Sequence, residues 1–172
     1  VSGLQLRESN FVRNVLNTLD RTSFNPTQLQ VELTEATLVD EQVSINDIFA
    51  ELRSHGIKIA IDDFGTGFSS FSYLQRFSFD VLKLDRSLIC RLGSSARAQV
   101  VVGSMQHLAE RLDFKIIAEG VETVKEMRIL RDIGCHGAQG YLFSRPLELV
   151  DWKFLDHTEP YLLPELDSSY HI

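Results

Sequence analysis

The sequence has no apolar run near the roughly 20 residues that a membrane-spanning helix needs, and it shows no signal peptide. Its two cysteines, Cys90 and Cys135, lie too far apart for the spacing of a metal site. It also lacks an excess of positive charge, and its net charge of −7 argues against DNA or RNA polymers as partners. The two widely spaced cysteines favour a reducing compartment, and we expect a cytoplasmic location.

The 172 residues, of which 44 % are apolar, suffice to bury the core of one domain. Because the chain begins with Val1, we expect it to be a piece of a longer protein, which could be tethered to a membrane. The sequence contains no short repeat and no low-complexity segment. Residues 156–172, with Pro160 and Pro164, are expected to form an irregular C-terminal tail.

Apolar periodicity predicts strands that alternate with helices. Five strands are expected, at residues 29–34, 57–61, 79–85, 114–118 and 137–143. Helices are expected at residues 10–19, 40–55, 69–77, 96–112, 124–133 and 150–155. Such alternation is typical of a parallel sheet with right-handed crossovers, and it fits a doubly wound sheet as well as a (β/α)₈ barrel.

Two of the predicted helices have recognisable starting signals. Asn10 is a candidate N-cap for the first, and Thr123 with Glu126 matches a capping box for the helix 124–133. The helix 96–112 is expected to bury one apolar side, formed by Val101, Met105, Leu108 and Leu112. The helix 124–133 is expected to bury Val124, Met127, Leu130 and Ile133.

Residues 59–70 join an apolar strand to two adjacent carboxylates, Asp62 and Asp63, and then to a loop with Gly65 and Gly67. Successive strand residues point to opposite faces of a sheet. We therefore expect the strand to end before the pair, where the glycines let the chain turn both carboxylates towards one partner. A divalent metal is the simplest partner, because two uncompensated carboxylates are costly to bury. The alternative is an Asp-rich turn that caps the next helix.

Polar side chains stand at or near the ends of the other predicted strands: Glu32, Lys83, Glu119 and Gln139. The C-terminal ends of parallel strands meet at one edge, where α/β folds place their ligands. Each residue has a structural alternative: Glu32 as a solvated strand residue, Lys83 as a lysine that reaches solvent, and the other two as partners of loop backbone. Their coincidence at one edge favours a site, and carboxylate and amide oxygens suit Mg²⁺ or Mn²⁺.

The chemistry favoured by such a set of residues is metal-assisted hydrolysis of a phosphodiester. Two divalent ions that share a carboxylate could activate a water and stabilise the attacking and leaving oxygens. A lysine beside them could orient the water and offset the charge that develops at phosphorus. The residues leave the substrate open, so another metal-dependent hydrolase on an α/β sheet also fits them.

Five motifs contain these residues, in order and at suitable spacing: 32–35 (ELTE), 62–70 (DDFGTGFSS), 83–87 (KLDRS), 118–123 (AEGVET) and 139–146 (QGYLFSRP). Together they resemble the EAL-domain cyclic di-GMP phosphodiesterases over residues 1–155. The resemblance implies a TIM-like (β/α)₈ barrel whose first strand runs antiparallel to the others. It also implies hydrolysis of cyclic di-GMP to linear pGpG with two Mg²⁺ or Mn²⁺ ions per site.

The resemblance also implies roles for individual residues. The implied metal ligands are Glu32, Asp62, Asp63 and Glu119. Glu32 and Asp62 would hold one ion, and Asp62 would share the second ion with Asp63 and Glu119. The implied catalytic residues are Lys83, which positions the water, Glu119, and Gln139, which contacts water or substrate. Loop or substrate support would come from Glu35, Thr66 and Glu122. Family members often pair, so residues 68–88 form a candidate homodimer interface.

The chain departs from the family at its start. The signature Glu-Ala-Leu segment and the metal-binding Asn have no counterpart, because Ser2 matches the last residue of the strand motif that contains the Asn. The barrel is therefore expected to be incomplete, lacking its first two strands and most of the third. We predict one EAL-type domain, residues 1–155, truncated at its N-terminus, whose activity in isolation is weak or missing. The alternatives are a non-catalytic cyclic di-GMP receptor and a dimerisation scaffold. Sensory or signalling domains are expected elsewhere in the parent protein.

Overall fold

The computed structural model describes residues 1–38, 45–66 and 71–146. The α-helices in this part are α1 Gly3–Leu6, α2 Phe11–Thr22, α3 Glu35–Leu38, α4 Ile45–Ser54, α5 Phe71–Arg76, α6 Arg86–Ile89, α7 Ala96–Leu112 and α8 Val124–Ile133. The strands are β1 Gln30–Thr34, β2 Lys58–Phe64, β3 Val81–Leu84, β4 Lys115–Ala118 and β5 Gly137–Ala138. The predicted alternation of strands and helices is confirmed.

The five strands form one parallel sheet in the order β1-β2-β3-β4-β5. Each strand pairs with the next one along the chain, whereas a doubly wound sheet contains a point at which the strand order reverses. The order observed here is that of a (β/α) barrel. At the β1 edge, the backbone nitrogen of Val1 donates a hydrogen bond to the carbonyl oxygen of Glu32 at 2.6 Å, so residue 1 lies beside this strand.

The main hydrophobic core lies between the helices and one face of the sheet, which we call the outer face. Residues at alternate positions of a strand share a face, and on β1 the buried residues Val31 and Leu33 alternate with partly exposed ones. The strand residues in the main core are Val31, Leu33, Ile59, Ile61, Phe64, Leu82, Leu84, Ile116, Ala118 and Ala138. The residues between them belong to the opposite face, which we call the inner face.

Helix α7 has the predicted bounds but buries a different side. Met105 is buried as expected, whereas Val101 and Leu112 are 43 % and 45 % exposed, so their assignment to the core was wrong. The buried residues of α7 are Val102, Met105, Gln106 and Ala109. Small and apolar residues occur all around this helix, and the sequence pattern therefore did not determine which side faces the sheet.

Helix α8 has the predicted capping box. The Thr123 hydroxyl accepts a hydrogen bond from the Glu126 amide, and the Glu126 carboxylate accepts one from the Thr123 amide. The helix ends at Gly134, whose φ of 86° is left-handed. Met127 is buried as predicted, but Val124 is exposed and does not belong to the buried side.

At the start of α2, Asn10 occupies the predicted N-cap position, although its side chain makes no capping hydrogen bond within the described residues. Parts of other predictions lie outside the described residues: the first turn of the helix 40–55, residues 68–70 of the candidate interface, the helix 150–155, the domain end at 155 and the tail 156–172. None of the helices in the described ranges combines the length and the apolar character that crossing a membrane requires.

Candidate metal centre

The inner face of the sheet brings polar residues from three strands to one ammonium group. The Lys83 Nζ atom on β3 lies 3.1 Å from Glu32 Oε2 on β1 and 3.3 Å from Asp62 Oδ1 on β2. It also lies 2.8 Å from Oε1 of Glu119, which directly follows β4. The Lys83 side chain is only 9 % exposed. The predicted convergence of these four residues is therefore present in the structure.

The charges around Lys83 decide its protonation state. Burial alone would lower the pKa of Lys83, but the hydrogen bonds and negative charges of Glu119, Glu32 and Asp62 outweigh this effect. The pKa of Lys83 is consequently raised above its ordinary value, and the side chain remains an ammonium ion at neutral pH. A charged lysine in this position cannot act as a base, but it can donate hydrogen bonds and offset negative charge.

A β-bulge places both aspartates of the pair on the inner face. In the ladder between β2 and β3, Ile61 pairs with Leu82 and Phe64 pairs with Leu84, so that Asp62 and Asp63 together oppose Lys83. Asp63 has a φ of 56°, in the left-handed region that aspartate tolerates better than most residues.

The strand was expected to end before this pair, and that prediction was wrong. Strand β2 continues to Phe64, and the bulge rather than a strand end brings the neighbouring carboxylates together. An extra residue in one strand changes the alternation of side chains locally, so both aspartates can face the same partner while the sheet continues.

Three of the predicted metal ligands form a group that can hold a divalent cation. One oxygen from each of Asp62, Asp63 and Glu119 lies within 4.8 Å of the other two. Carboxylate oxygens at this spacing fit Mg²⁺ or Mn²⁺, which prefer oxygen ligands. Glu32 joins the same cluster through its contact with Lys83.

The electrostatics of the group also favour a cation. Burial, followed by the charges of Asp62 and Asp85, raises the pKa of Asp63, although Lys83 opposes the shift. Burial likewise raises the pKa of Glu119, against the opposing effect of Lys83 and with a further contribution from Asp62 and Glu32. One ammonium group therefore does not fully compensate the carboxylates, and a divalent ion would offset the remaining negative charge.

Gln139 contacts the cluster from the strand next to β4. Its amide nitrogen donates a hydrogen bond to Glu119 Oε1. Its backbone continues the ladder beyond β5, because the Gln139 amide donates to Ala118 at 2.8 Å and its carbonyl accepts from Val121 at 3.0 Å. The strand predicted over residues 137–143 is nevertheless too long. A Cβ atom on Gly140 would lie 2.3 Å from the Val121 backbone, and residues 141–143 form a turn.

The three predicted supporting residues each contact a loop of the site. Glu35 Oε2 accepts a hydrogen bond from the Gly65 amide at 3.3 Å, two residues after Asp63. The Thr66 hydroxyl donates to the Asp63 carbonyl at 3.1 Å. Glu122 Oε1 lies 3.0 Å from an Arg86 guanidinium nitrogen. These contacts place all three beside the loops that follow β2 and β4, outside the carboxylate group itself.

A cavity of about 600 Å³ adjoins Glu119 and Gln139 and is lined by residues to which the sequence analysis had assigned no catalytic, metal-binding or supporting role. They include Asp85, Arg86, Tyr141, Phe143 and Arg145. Arg145 lies over the Tyr141 ring, with its guanidinium carbon 5.0 Å from the ring centre. Asp85 had a detectable signal, since it directly follows β3 just as Glu119 follows β4. Hydrogen bonds from Ser87 lower the pKa of Asp85, which stays a carboxylate.

Comparison with known proteins places these residues in a family context. The family model described as the EAL domain matches residues 1–146. The cyclic di-GMP phosphodiesterase NbdA of Pseudomonas aeruginosa is 38 % identical over 145 residues, which cover 84 % of this chain and 18 % of NbdA. An uncharacterised protein of Mycobacterium tuberculosis, Rv1354c, is 40 % identical over 147 residues, covering 86 % of this chain and 24 % of that protein.

Solved structures give the same result for the fold. The PaMucR phosphodiesterase in complex with cyclic di-GMP matches with a TM-score of 0.80 and 37 % identity, over 88 % of this chain and 62 % of that one. The manganese and cyclic di-GMP complex of Klebsiella pneumoniae BlrP1 at pH 9.0 matches with a TM-score of 0.77 and 34 % identity, over 83 % and 36 % of the two chains. The predicted TIM-like α/β fold is thereby confirmed. The chain spans about a fifth of the length of the curated relatives it matches.

Proposed function

The chain belongs to the EAL-domain family, and we propose that the protein containing it is a phosphodiesterase that opens cyclic di-GMP to linear pGpG with two divalent ions. The observation that carries this proposal is the group of Asp62, Asp63 and Glu119 oxygens around the Lys83 ammonium. NbdA is named a cyclic di-GMP phosphodiesterase, and the BlrP1 complex contains manganese and cyclic di-GMP. Both facts support the choice of substrate. The manganese in the BlrP1 complex supports a divalent metal, and the carboxylate oxygens of this chain suit Mg²⁺ or Mn²⁺.

We assign the ligands to two ions, with Asp62 shared between them. Asp62 has an oxygen close to those of Asp63 and Glu119, and it shares the Lys83 ammonium with Glu32 on β1, so it can serve both ions. Glu32 and Asp62 would hold one ion, and Asp63 and Glu119 would hold the other together with Asp62. Bound in this way, the ions would supply an activated water and stabilise the charge on the oxygens at phosphorus.

Lys83 is the residue that we assign to the water and to the developing charge. Its Nζ atom has three possible donor protons, and its neighbours are the carboxylates that would hold the ions. In the reaction, the water oxygen bonds to phosphorus as the water gives up a proton, and the bond from phosphorus to the sugar oxygen breaks. That oxygen takes up a proton, so the net addition of one water leaves a sugar hydroxyl within the linear product. The ammonium can orient the water and offset the charge of the pentacoordinate transition state.

The remaining residues would keep this arrangement in place. Gln139 holds one oxygen of Glu119 by its amide donor and lines the cavity in which the substrate would lie next to the metals. Glu35 and Thr66 restrain the loop after β2, and Glu122 restrains the loop after β4 through Arg86. We further propose that the domain pairs through residues 68–88, that it works in the cytoplasm and that sensory or signalling domains accompany it.

The experiment that tests this function uses the full-length protein, Mn²⁺ and cyclic di-GMP, with the product identified chromatographically. We expect pGpG from the wild type and a loss of about 10³-fold in kcat for Asp62→Ala, because removal of a shared ligand takes several kcal/mol of charge stabilisation from the transition state. The matched control is Asp20→Ala, which removes an exposed carboxylate from α2. Binding of cyclic di-GMP without hydrolysis would instead identify a non-catalytic receptor. Absence of binding would favour the remaining alternative, a dimerisation scaffold.

A further inference from the structure

The one-turn helix α6 touches two glycines, each of which closely follows a carboxylate of the metal centre. Gly65 comes two residues after Asp63, and Gly120 directly follows Glu119. A Cβ atom on Gly65 would lie 2.6 Å from Leu88 Cδ1, and one on Gly120 would lie 2.6 Å from Cβ and Cγ of Arg86. Real side chains do not approach so closely, so α6 packs directly against the backbone of both loops.

We propose that α6 sets the spacing of the carboxylates, with Leu88 and Arg86 as positioning residues. Leu88 acts through Gly65 on the bulge that contains Asp62 and Asp63. Arg86 acts through Gly120 on Glu119. The inference depends on the proposed function only in that the three carboxylates bind divalent ions.

Backbone hydrogen bonds connect both ends of this arrangement to the sheet. The Asp85 amide, immediately before α6, donates to the Phe64 carbonyl at 3.1 Å, so the start of α6 is tied to the end of β2. The Glu119 amide donates to the Leu84 carbonyl at 3.0 Å, which ties the other loop to the end of β3. A shift of α6 must therefore be transmitted to the backbone on either side.

The contact at Gly65 holds the loop between two side chains. Leu88 is half-buried against the main core and meets Gly65 with its terminal atoms. On the same glycine, the amide donates to the buried Glu35 carboxylate. Gly65 has a φ of 109°, which a residue with a side chain adopts only under strain. Truncation of Leu88 removes the packing partner and leaves the bulge less restrained.

The contact at Gly120 differs from the one at Gly65 because it involves the Cβ and Cγ atoms of Arg86, next to the backbone of α6. The Cβ atom of Arg86 itself is 2.6 Å from the position a Gly120 Cβ would take, so the helix backbone and not only the side chain sets this distance. The Arg86 side chain is 60 % exposed, and its ion pair with Glu122 therefore contributes little energy by itself. We assign the positioning effect at this end mainly to the steric contact.

The test is a titration of the full-length protein with Mn²⁺ alone. Calorimetry measures the Mn²⁺ affinity, and electron paramagnetic resonance detects the bound ions. Leu88→Ala is expected to weaken Mn²⁺ binding about tenfold, the lower end of the effects known for residues that orient metal ligands. Leu108→Ala is the matched control, because Leu108 is also half-buried against the main core but lies on α7. It should lower stability and leave Mn²⁺ binding unchanged. Equal Mn²⁺ affinity in wild type and Leu88→Ala would overturn the proposal.

Glycine variants separate positioning from a general loss of stability. Gly65→Ala should weaken Mn²⁺ binding, and Leu88→Ala in that background should restore part of it, because the clashing atoms are Cδ1 and Cγ of Leu88. Gly120→Ala should weaken binding as well, but Arg86→Ala should give no rescue, since Arg86 Cβ remains. Rescue in both pairs, or in neither, would contradict the proposed contacts.

The nucleotide-free titration also separates this inference from the proposed function. If the wild type binds Mn²⁺ and the variants behave as expected while cyclic di-GMP is not hydrolysed, the positioning role stands and the function fails. If hydrolysis occurs and Leu88→Ala binds Mn²⁺ as well as the wild type, the function stands and the positioning role fails. A wild type that binds no Mn²⁺ overturns both.

Discussion

The two faces of the sheet are built from alternate residues of the same strands, yet different forces hold them. On the outer face, residues such as Leu82 and Leu84 are fully buried within one large core. On the inner face, the buried apolar residues of the described ranges form only a small cluster of Ala60, Val81 and Ile117, beside charged residues such as Lys83 and Asp62. Burial of apolar side chains on the outer face stabilises the fold. Burial of charged side chains on the inner face costs free energy unless a group of opposite charge lies beside them.

Strand β3 shows this difference within four residues. Val81, Leu82, Lys83 and Leu84 are all buried, but Leu82 and Leu84 lose only apolar surface to the core. Lys83 remains buried because three carboxylates surround its ammonium group. The same strand therefore supplies the scaffold with one set of side chains and the site with the other, and the two sets can be varied independently.

The largest effect on stability is expected from truncation of a side chain on the outer face. Two adjacent isoleucines on β4 allow the two faces to be compared. Ile116 belongs to the main core and Ile117 to the inner cluster, although both are at least nine-tenths buried. We expect Ile116→Ala to lower the free energy of unfolding of the 172-residue chain by about 4 kcal/mol. Ile117→Ala should cost only about 2 kcal/mol, because fewer neighbours leave a smaller cavity.

Urea denaturation at neutral pH measures the free energy of unfolding of both variants. Equal losses for Ile116→Ala and Ile117→Ala would show that the inner face is packed as completely as the outer one. That result would break the comparison between the faces.

A smaller effect on stability is expected from the charged part of the inner face. Lys83→Met should lower the free energy of unfolding by about 2 kcal/mol, because Asp62 and Glu119 would then repel each other without a counter-ion. The loss should be less than for a fully buried pair, since the third partner, Glu32, is 38 % exposed. Denaturation in a low-salt buffer without divalent ions is the measurement.

The control for this variant is Lys58→Met, which removes an exposed lysine from the neighbouring strand β2. It should change the stability by less than about 0.5 kcal/mol. If both lysine variants are equally stable, the inner-face charges do not act on the fold, and Lys83 serves the chemistry alone.

The fold was largely readable from the sequence because its signals are local. Apolar runs, the capping box at Thr123 and the glycine at the end of α8 each specify their own segment. The side of α7 was misassigned because apolar residues such as Val101 lie on its exposed surface, and packing against the sheet decides which side is buried.

The sequence predicted which residues form the site, but it did not predict how the backbone arranges them. Strand ends identified Glu32, Lys83 and Glu119, since parallel strands bring their C-terminal ends to one edge. The bulge at Asp62 and Asp63 depends on the register with β3, which no local pattern in β2 encodes. The early turn at Gly140 has the same origin, because the Val121 backbone, nearly twenty residues earlier, occupies the space of a side chain.

The smallest effect is expected from His136, at the end of the sheet opposite the carboxylates. Its Nδ1 atom accepts a hydrogen bond from the Ile116 amide at 3.2 Å, which requires the neutral ring. Burial, followed by the charge of Lys115, lowers the pKa of His136, while Glu110 opposes the shift. The folded state thus prefers the neutral form, and the stability from this preference is present above the ordinary pKa of about 6.5 and is lost as the pH falls below it.

Denaturation of wild type and His136→Ala at pH 7.5 and pH 5.5 checks this prediction, with the exposed His107→Ala as control. Since His136 is half-buried, we expect the wild type to lose about 0.5 kcal/mol more than His136→Ala between the two pH values. His107→Ala should follow the wild type. If instead His136→Ala keeps the full pH dependence, the preference of the folded state for the neutral His136 ring is not the cause of the decline. The raised pKa values of Asp63 and Glu119 could not explain it either, because such carboxylates favour the folded state as the pH falls.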